Sequence, residues 1–240
     1  MNTRAEVLFS VMPRVCAAPG EAETCRAVET EATNFGRIAN EQIRGLVRHL
    51  FLPGWPRPLR QIVFSTIDET SDAGWLCQRV GEELVSEITG EVGVVDVNLR
   101  ALLKHQNGGT AEYRLSQKSP GELRKSSRQL GERLWLVPAD VFAGGKEVAA
   151  APLWLRGRLA QLRVEFEYVL LQSPSAETSS DVGLLGSLCD GVVLVLRADT
   201  TRRRTAQSVR QGLQAANARL LGTVLVDRVF PVPERIYRRL

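Results

Sequence analysis

The architecture of this chain turns on QIVFSTIDETSDAGWLCQRVGEELVSEI, residues 61–88. QIVFS (61–65) is mostly apolar, as a strand buried on both faces would be. After the turn, Leu76, Val80, Leu84 and Ile88 repeat at helical spacing on one face. Between them runs Asp68-Glu69-Thr70-Ser71-Asp72-Ala73-Gly74-Trp75, with three carboxylates, one glycine and no lysine. A buried strand feeding an amphipathic helix through a polar turn is the repeating unit of a parallel α/β sheet.

Working outward, the same alternation continues. VGVVDV (92–97), LWLVP (134–138), YVLLQ (168–172), GVVLVLR (191–197) and GTVLV (222–226) read as further buried strands. Helical spacing fills the gaps: Leu155, Leu159, Leu162 and Phe166, then Ala206, Val209, Leu213, Ala216 and Leu220. Upstream, EQIRGLVRHLF places Ile43, Leu46, Val47 and Leu50 on one helical face, and FLPGWPRP stops that helix with three prolines and a glycine. Residues 101–133 are polar and predict loops around short helices. Residues 1–40 are acidic, rich in alanine and weakly periodic, and predict a mobile leader; 41–240 predict one domain. The fold class is therefore three-layer α/β/α with a mostly parallel sheet.

Composition narrows the function. With 240 residues, 44% hydrophobic and 24% charged, the chain can bury a sizeable core. No apolar run reaches membrane-spanning length, and the N-terminus has neither a signal-peptide core nor a transit-peptide pattern. A cytoplasmic protein is expected. Four scattered cysteines (Cys16, Cys25, Cys77, Cys189) and two histidines give no zinc-ligand spacing. The net charge of +4 is arginine-led, with clusters at Arg202-Arg203-Arg204 and at Arg235, Arg238 and Arg239. No recognition motif accompanies them, so nucleic acid is not the expected partner.

In parallel sheets, ligands sit beyond the carboxyl ends of the strands. VVDVNLR (94–100) puts Asp96 and Asn98 at one such end with Arg100 beyond, YVLLQSPS (168–175) ends another with Gln172, and GTVLVD (222–227) ends in Asp227. Taken in order with EQIRGLVRHLF and the strand at 61–65, these blocks resemble the cytoplasmic domain of bacterial capsular and exopolysaccharide tyrosine autokinases, deviant-Walker P-loop ATPases. The resemblance spans roughly residues 40 to 240. It implies a P-loop NTPase-like fold, with the phosphate loop between the strand at 61–65 and the helix after it.

Against that pattern, Asp96 matches the first acid of the family's second block, Asn98 replaces the other acid, and Leu99-Arg100 follow. Gln172 stands where the third block has aspartate, and Val226 where an asparagine near the adenine is expected, with Asp227 adjacent. The phosphate loop departs furthest. A working loop uses glycines to curl backbone N–H groups around phosphates, a lysine against their charge and a Ser/Thr hydroxyl for magnesium. Here Asp68, Glu69 and Asp72 meet the phosphates with like charge, Gly74 is the one glycine and Trp75 fills the hydroxyl's region. One carboxylate about 4 Å from a phosphate costs about 1–4 kcal/mol at surface-like dielectrics. Helix-dipole attraction of roughly 0.3–1 kcal/mol does not recover that. Asp68, Asp72 and Asp96 as magnesium ligands remain one reading. The favoured reading makes Ser71 or Asp72 the cap of the helix that begins near Gly74, with the remaining acids at its positive end.

The resemblance thus implies a retained fold with lost hydrolysis. The vestigial nucleotide site would comprise Asp68, Glu69, Asp72, Gly74, Trp75, Asp96, Asn98, Arg100, Gln172 and Asp227, without a resident cofactor. Glu41 and Arg44 match the first two positions of the family's E-x-x-R-x-x-R subunit-contact helix, while Val47 takes the third. Three functions follow as expectations. The first is a non-catalytic kinase-like subunit of polysaccharide synthesis or export. It would dock on a membrane chain-length regulator (co-polymerase) or on active kinase homologues, form homo-oligomers, and reach the inner face of the membrane through its partner. The second is an active ATP- and magnesium-dependent tyrosine autokinase with an unusual loop. The third is a partition- or division-type switch using Arg202 to Arg204.

Overall fold

The computed structural model describes residues 8–10, 39–51, 58–68, 73–97, 121–143, 152–198 and 200–227. Eight strands form one sheet in the order β1-β8-β7-β2-β6-β3-β5-β4: β1 (Leu8–Ser10), β2 (Gln61–Thr66), β3 (Val92–Asp96), β4 (Arg128–Gln129), β5 (Leu134–Val137), β6 (Tyr168–Ser173), β7 (Gly191–Arg197) and β8 (Leu220–Val226). Every pairing is parallel except β4 with β5. β2 lies in the middle, and all six of its side chains are buried.

Helices cover both faces. On one face lie α1 (39–51) and α2 (Gly74–Glu87). There Ile43, Leu46, Val47 and Leu50 join Leu76, Val80 and Leu84 over Ile62, Phe64, Val94 and Leu170. The other face carries α3 (Glu122–Ser126), α4 (Ala139–Ala143), α5 (Pro152–Glu165), α6 (Asp181–Leu188) and α7 (Arg203–Ala215). Leu155, Leu159, Leu162, Leu185, Val209 and Leu213 pack there on Val63, Val95, Val169 and Leu171. The strands are buried on both sides because successive side chains feed opposite layers. Gly81 lets α2 approach the sheet closely, since a Cβ there would lie 2.8 Å from Leu134 Cδ1.

Two local expectations are corrected. Within the stretch expected to be a leader, Leu8–Ser10 form an edge strand, Leu8 opposite Thr223 and Ser10 opposite Leu225. Within the stretch expected to be loops and short helices, Arg128 and Gln129 add an antiparallel edge opposite Leu136 and Trp135. Leu130 N–H donates to Leu134 O at 2.8 Å and closes that hairpin. Both edge strands are too short to show period-2 patterning, so their apolar count is uninformative. The proline- and glycine-rich stop after α1 lies mostly outside the described residues.

Candidate functional site

The carboxyl ends of β8, β7, β2, β6 and β3 line up along one edge of the sheet in that order. β2 runs out through Ile67, which is buried and donates its N–H to Val195 O at 3.2 Å. The chain after β6 then folds across the end of β2. Ala176 N–H donates to Thr66 O at 2.8 Å, Glu177 N–H to Ile67 O at 3.3 Å, and the buried Ser175 hydroxyl also reaches Ile67 O. Ser65 Oγ donates to Pro174 O at 2.7 Å. Backbone carbonyls at the mouth of the loop are thereby satisfied within the chain, as buried polar groups must be.

Asp68, the first acid of the loop, is held by a hydroxyl. Thr201 Oγ1 donates to Asp68 Oδ1 at 3.1 Å and accepts the Arg197 N–H at 3.0 Å. Arg197 Nε in turn lies 3.0 Å from Asp227 Oδ2. Asp227 has a left-handed backbone, φ 57°, a conformation aspartate tolerates through its short polar side chain. A continuous polar path therefore links the ends of β2, β7 and β8 through Asp68, Thr201, Arg197 and Asp227. Sequence reasoning pointed to this strand end but missed the roles of Thr201 and Arg197. The available signal was Thr200-Thr201 soon after the strand, where a threonine hydroxyl can substitute for backbone partners.

On the other side of β2, Asp96 and Gln172 stand opposite each other in register, and Val97 N–H donates to Gln172 O at 2.8 Å. The structure thus brings Asp68 to Asp227 through one network and Asp96 to Gln172 through strand pairing. Gly74 opens α2, and Trp75 packs half-buried against the core rather than presenting a small hydroxyl. Glu69, Asp72, Asn98 and Arg100 lie outside the described residues. The expected cap is corrected: Ala73 occupies the N-cap of α2, with no side-chain cap hydrogen bond and no acid in the first turn. Ser71 lies outside the described residues with Asp72.

The stretch from Ile67 to Trp75 offers no lysine, and the Asp68 side chain accepts a hydrogen bond from the Thr201 hydroxyl. Among the described residues, no cluster of three or more His, Cys, Asp or Glu side chains is placed to hold a metal ion.

Comparison with known proteins bears on the fold. The chain superposes on the chimerical protein CapA2B2 with a TM-score of 0.64 and 13% identity, covering 94% of this chain and 96% of that one. The kinase domain of Escherichia coli tyrosine kinase ETK follows with a TM-score of 0.57 and 17% identity, over 81% and 79% of the two chains. The fold is that of the bacterial tyrosine-kinase domains, a P-loop NTPase-like α/β/α sandwich.

In sequence, 93 residues are 22% identical to the tyrosine-protein kinase CpsD of Streptococcus agalactiae. That match takes in 39% of this chain and 41% of the relative, so the chain spans about two fifths of the length of the curated relative it matches. No protein-family model matches. Sequence and fold together carry the resemblance to the capsular tyrosine autokinases. Among the described residues, no helix is long and apolar enough to cross a membrane.

Glu41 and Arg44 are both placed on α1, where Arg44 Nε donates to Glu83 Oε1 of α2 at 2.6 Å and Arg44 Nη1 lies 3.4 Å from Glu41. Glu83 is the main reason the Arg44 guanidinium is held above its ordinary pKa. Val47, where the kinase pattern has its second arginine, is fully buried.

Proposed function

We propose that this domain is a non-catalytic, tyrosine-kinase-like subunit acting in capsule or exopolysaccharide synthesis or export. It works by docking on a membrane co-polymerase or on active kinase homologues rather than by phosphoryl transfer. The observation that carries the reading is the charge at the mouth of β2. Where phosphoryl transfer needs lysine and metal to neutralise the phosphates, the chain has Asp68 held by Thr201, and the position across from Asp96 is the neutral Gln172. Gln172 keeps the hydrogen-bonding shape of the aspartate it replaces without its charge, while Asp68 adds a carboxylate where the loop would need a cation. The kinase-like fold and the match to CpsD support the polysaccharide setting.

Calorimetric titration with ATP and ADP, with and without magnesium, tests this reading. Absent or millimolar binding is the expected result. Micromolar, magnesium-dependent binding would overturn it in favour of an active autokinase with Asp96 as its metal ligand.

A further inference from the structure

The sheet has two unlike edges. At one end β4 is two residues long, exposed and charged through Arg128, and a hairpin ties it to β5. Short, charged edges of that kind resist pairing with another chain. Near the other end lies β8, whose seven residues LLGTVLV include no charge and no proline. β7 pairs with it on the inner side from Leu220 to Val226. On the outer side, among the described residues, only Thr223, Val224 and Leu225 are paired, with Leu8, Phe9 and Ser10 of β1.

β1 is a slight cover for such an edge. It is three residues long, and residues 11–38 separate it from α1. The next strand in sequence, β2, stands beyond β8 and β7 in the sheet, whereas consecutive elements usually neighbour each other. Strand pairing across the length of the chain, not a tight turn, thus joins β1 to its site. A long apolar edge without charge, proline or a full-length neighbour is the surface that strand addition uses. Main-chain hydrogen bonds give the affinity there, and alternate side chains give the fit.

We propose that the outer edge of β8 is a strand-addition site for a partner protein, with Leu8–Ser10 as its displaceable resident. The occupant is an extended, proline-free, mainly apolar segment. The seven residues of β8 set its length, and the pairing of β1 sets its direction, parallel to β8. Val224 and Val226 belong to one core layer and Leu220 packs on the other, so an added strand continues both layers and is apolar on both faces. A tethered cover gains from its high effective concentration, and a ladder in trans that pairs with more of β8 overcomes that advantage. This inference rests on the reading of the domain as a docking subunit and names the form of its partner.

The probe is a fluorescein-labelled peptide of residues 4–12, RAEVLFSVM, which carries the resident strand and its flanks. Anisotropy follows its titration with the full chain and with a full-length Leu8→Pro/Phe9→Pro variant. Successive strand residues point their N–H groups to opposite sides, so one of the two prolines removes a donor to β8 whichever way β1 faces. Saturable one-site binding to the variant is expected, with binding to the unsubstituted chain about tenfold weaker or more, because its own strand competes. A peptide carrying the same two prolines should not bind. In the variant, Leu225→Cys should form a disulfide with a Ser10→Cys peptide, and Leu220→Cys should not, since Ser10 stands opposite Leu225. Should the opened variant self-associate, excess peptide should return it to monomer in sedimentation. Absence of saturable binding to the variant, equal affinity for both proteins, a cross-link at Leu220→Cys instead of Leu225→Cys, or self-association that the peptide leaves unchanged would each overturn the proposal. ATP titration of the same preparation reports on the non-catalytic reading separately: micromolar ATP binding beside intact peptide binding would remove that reading and leave the strand site standing.

Discussion

Arg44 reaches across from α1 to Glu83 of α2 at 2.6 Å, and it is the middle rung of a ladder. Arg79 donates to Asn40 at 2.5 Å and Arg48 to Glu87 at 3.0 Å, each pair separated by 39 residues. A constant offset at four-residue steps means that the two helices run parallel, one rung per turn. Beneath the ladder, Ile43, Leu46, Val47 and Leu50 are buried, so α1 is a packed element of its own domain.

That packing makes the kinase-like arginine at position 47 incompatible with this chain. Val47→Arg would bury an unpaired guanidinium in the α1–α2 core, at a cost of about 3–5 kcal/mol. Thermal unfolding of Val47→Arg against Arg48→Ala checks it. Arg48 is exposed, and its removal should leave the melting temperature nearly unchanged. An equally stable Val47→Arg would show that α1 does not pack as described.

Arg158 is the buried cation of the second layer. Its Nε donates to Phe142 O at 2.6 Å, Nη2 to Val141 O at 2.5 Å and Nη1 to Gln161 Oε1 at 2.7 Å. It closes the carbonyl end of α4, where a cation is favoured. Burial holds its pKa below the ordinary guanidinium value, with Glu165 and Glu122 acting in the opposite direction. Arg158→Met keeps the apolar stem but orphans two carbonyls, each costing about 1–3 kcal/mol. A loss on the order of 3 kcal/mol in urea unfolding is expected. A loss indistinguishable from zero would mean that solvent already serves those carbonyls.

Two serines at the ends of neighbouring strands should behave oppositely. Ser65 and Ser173 stand side by side in register, and both are buried. Ser65 Oγ has Pro174 O as its acceptor, whereas Ser173 Oγ has no hydrogen-bond partner among the described residues. Ser65→Ala should cost about 1 kcal/mol, while Ser173→Ala should be neutral or stabilising, because a buried hydroxyl without a partner is a net cost. Equal losses in the two variants would place an ordered water on Ser173.

The sandwich was legible because burial on both faces writes itself into β2, β6 and β7 as continuous apolar runs. The face of α1 was legible through Ile43, Leu46, Val47 and Leu50 at helical spacing. The rungs between α1 and α2 were not, since Arg44 and Glu83 are joined by tertiary packing and no local spacing announces a 39-residue offset. The cap of α2 misled for a related reason. Ser71 and Asp72 have the residue types of an N-cap, but the helix begins at Gly74 with Ala73 as its cap residue. At the candidate site, residue identity revealed the missing lysine directly. The tie from Asp68 to Thr201 crosses 133 residues and needed the sheet order to be known.

Cys189 gives the domain an alkaline limit. Burial pushes its thiol well above the ordinary value, Arg163 pulls it down and Asp190 raises it. Below about pH 8.5, the ordinary thiol value, folded and unfolded chains both hold the proton and the thiol adds no pH dependence. Above it the unfolded chain releases the proton while the folded chain keeps it, so stability falls by about 1.4 kcal/mol per pH unit. Urea unfolding at pH 7.5, 8.5 and 9.5 should show that decline, and Cys189→Ala should flatten it. The slope rather than the absolute stability is the readout, since shortening the side chain shifts the baseline at every pH alike. Identical slopes in the two proteins would mean that Cys189 ionises in the folded state as readily as in the unfolded one. It would then react with iodoacetamide in the native protein at pH 8.5 faster than a thiol that keeps its proton there.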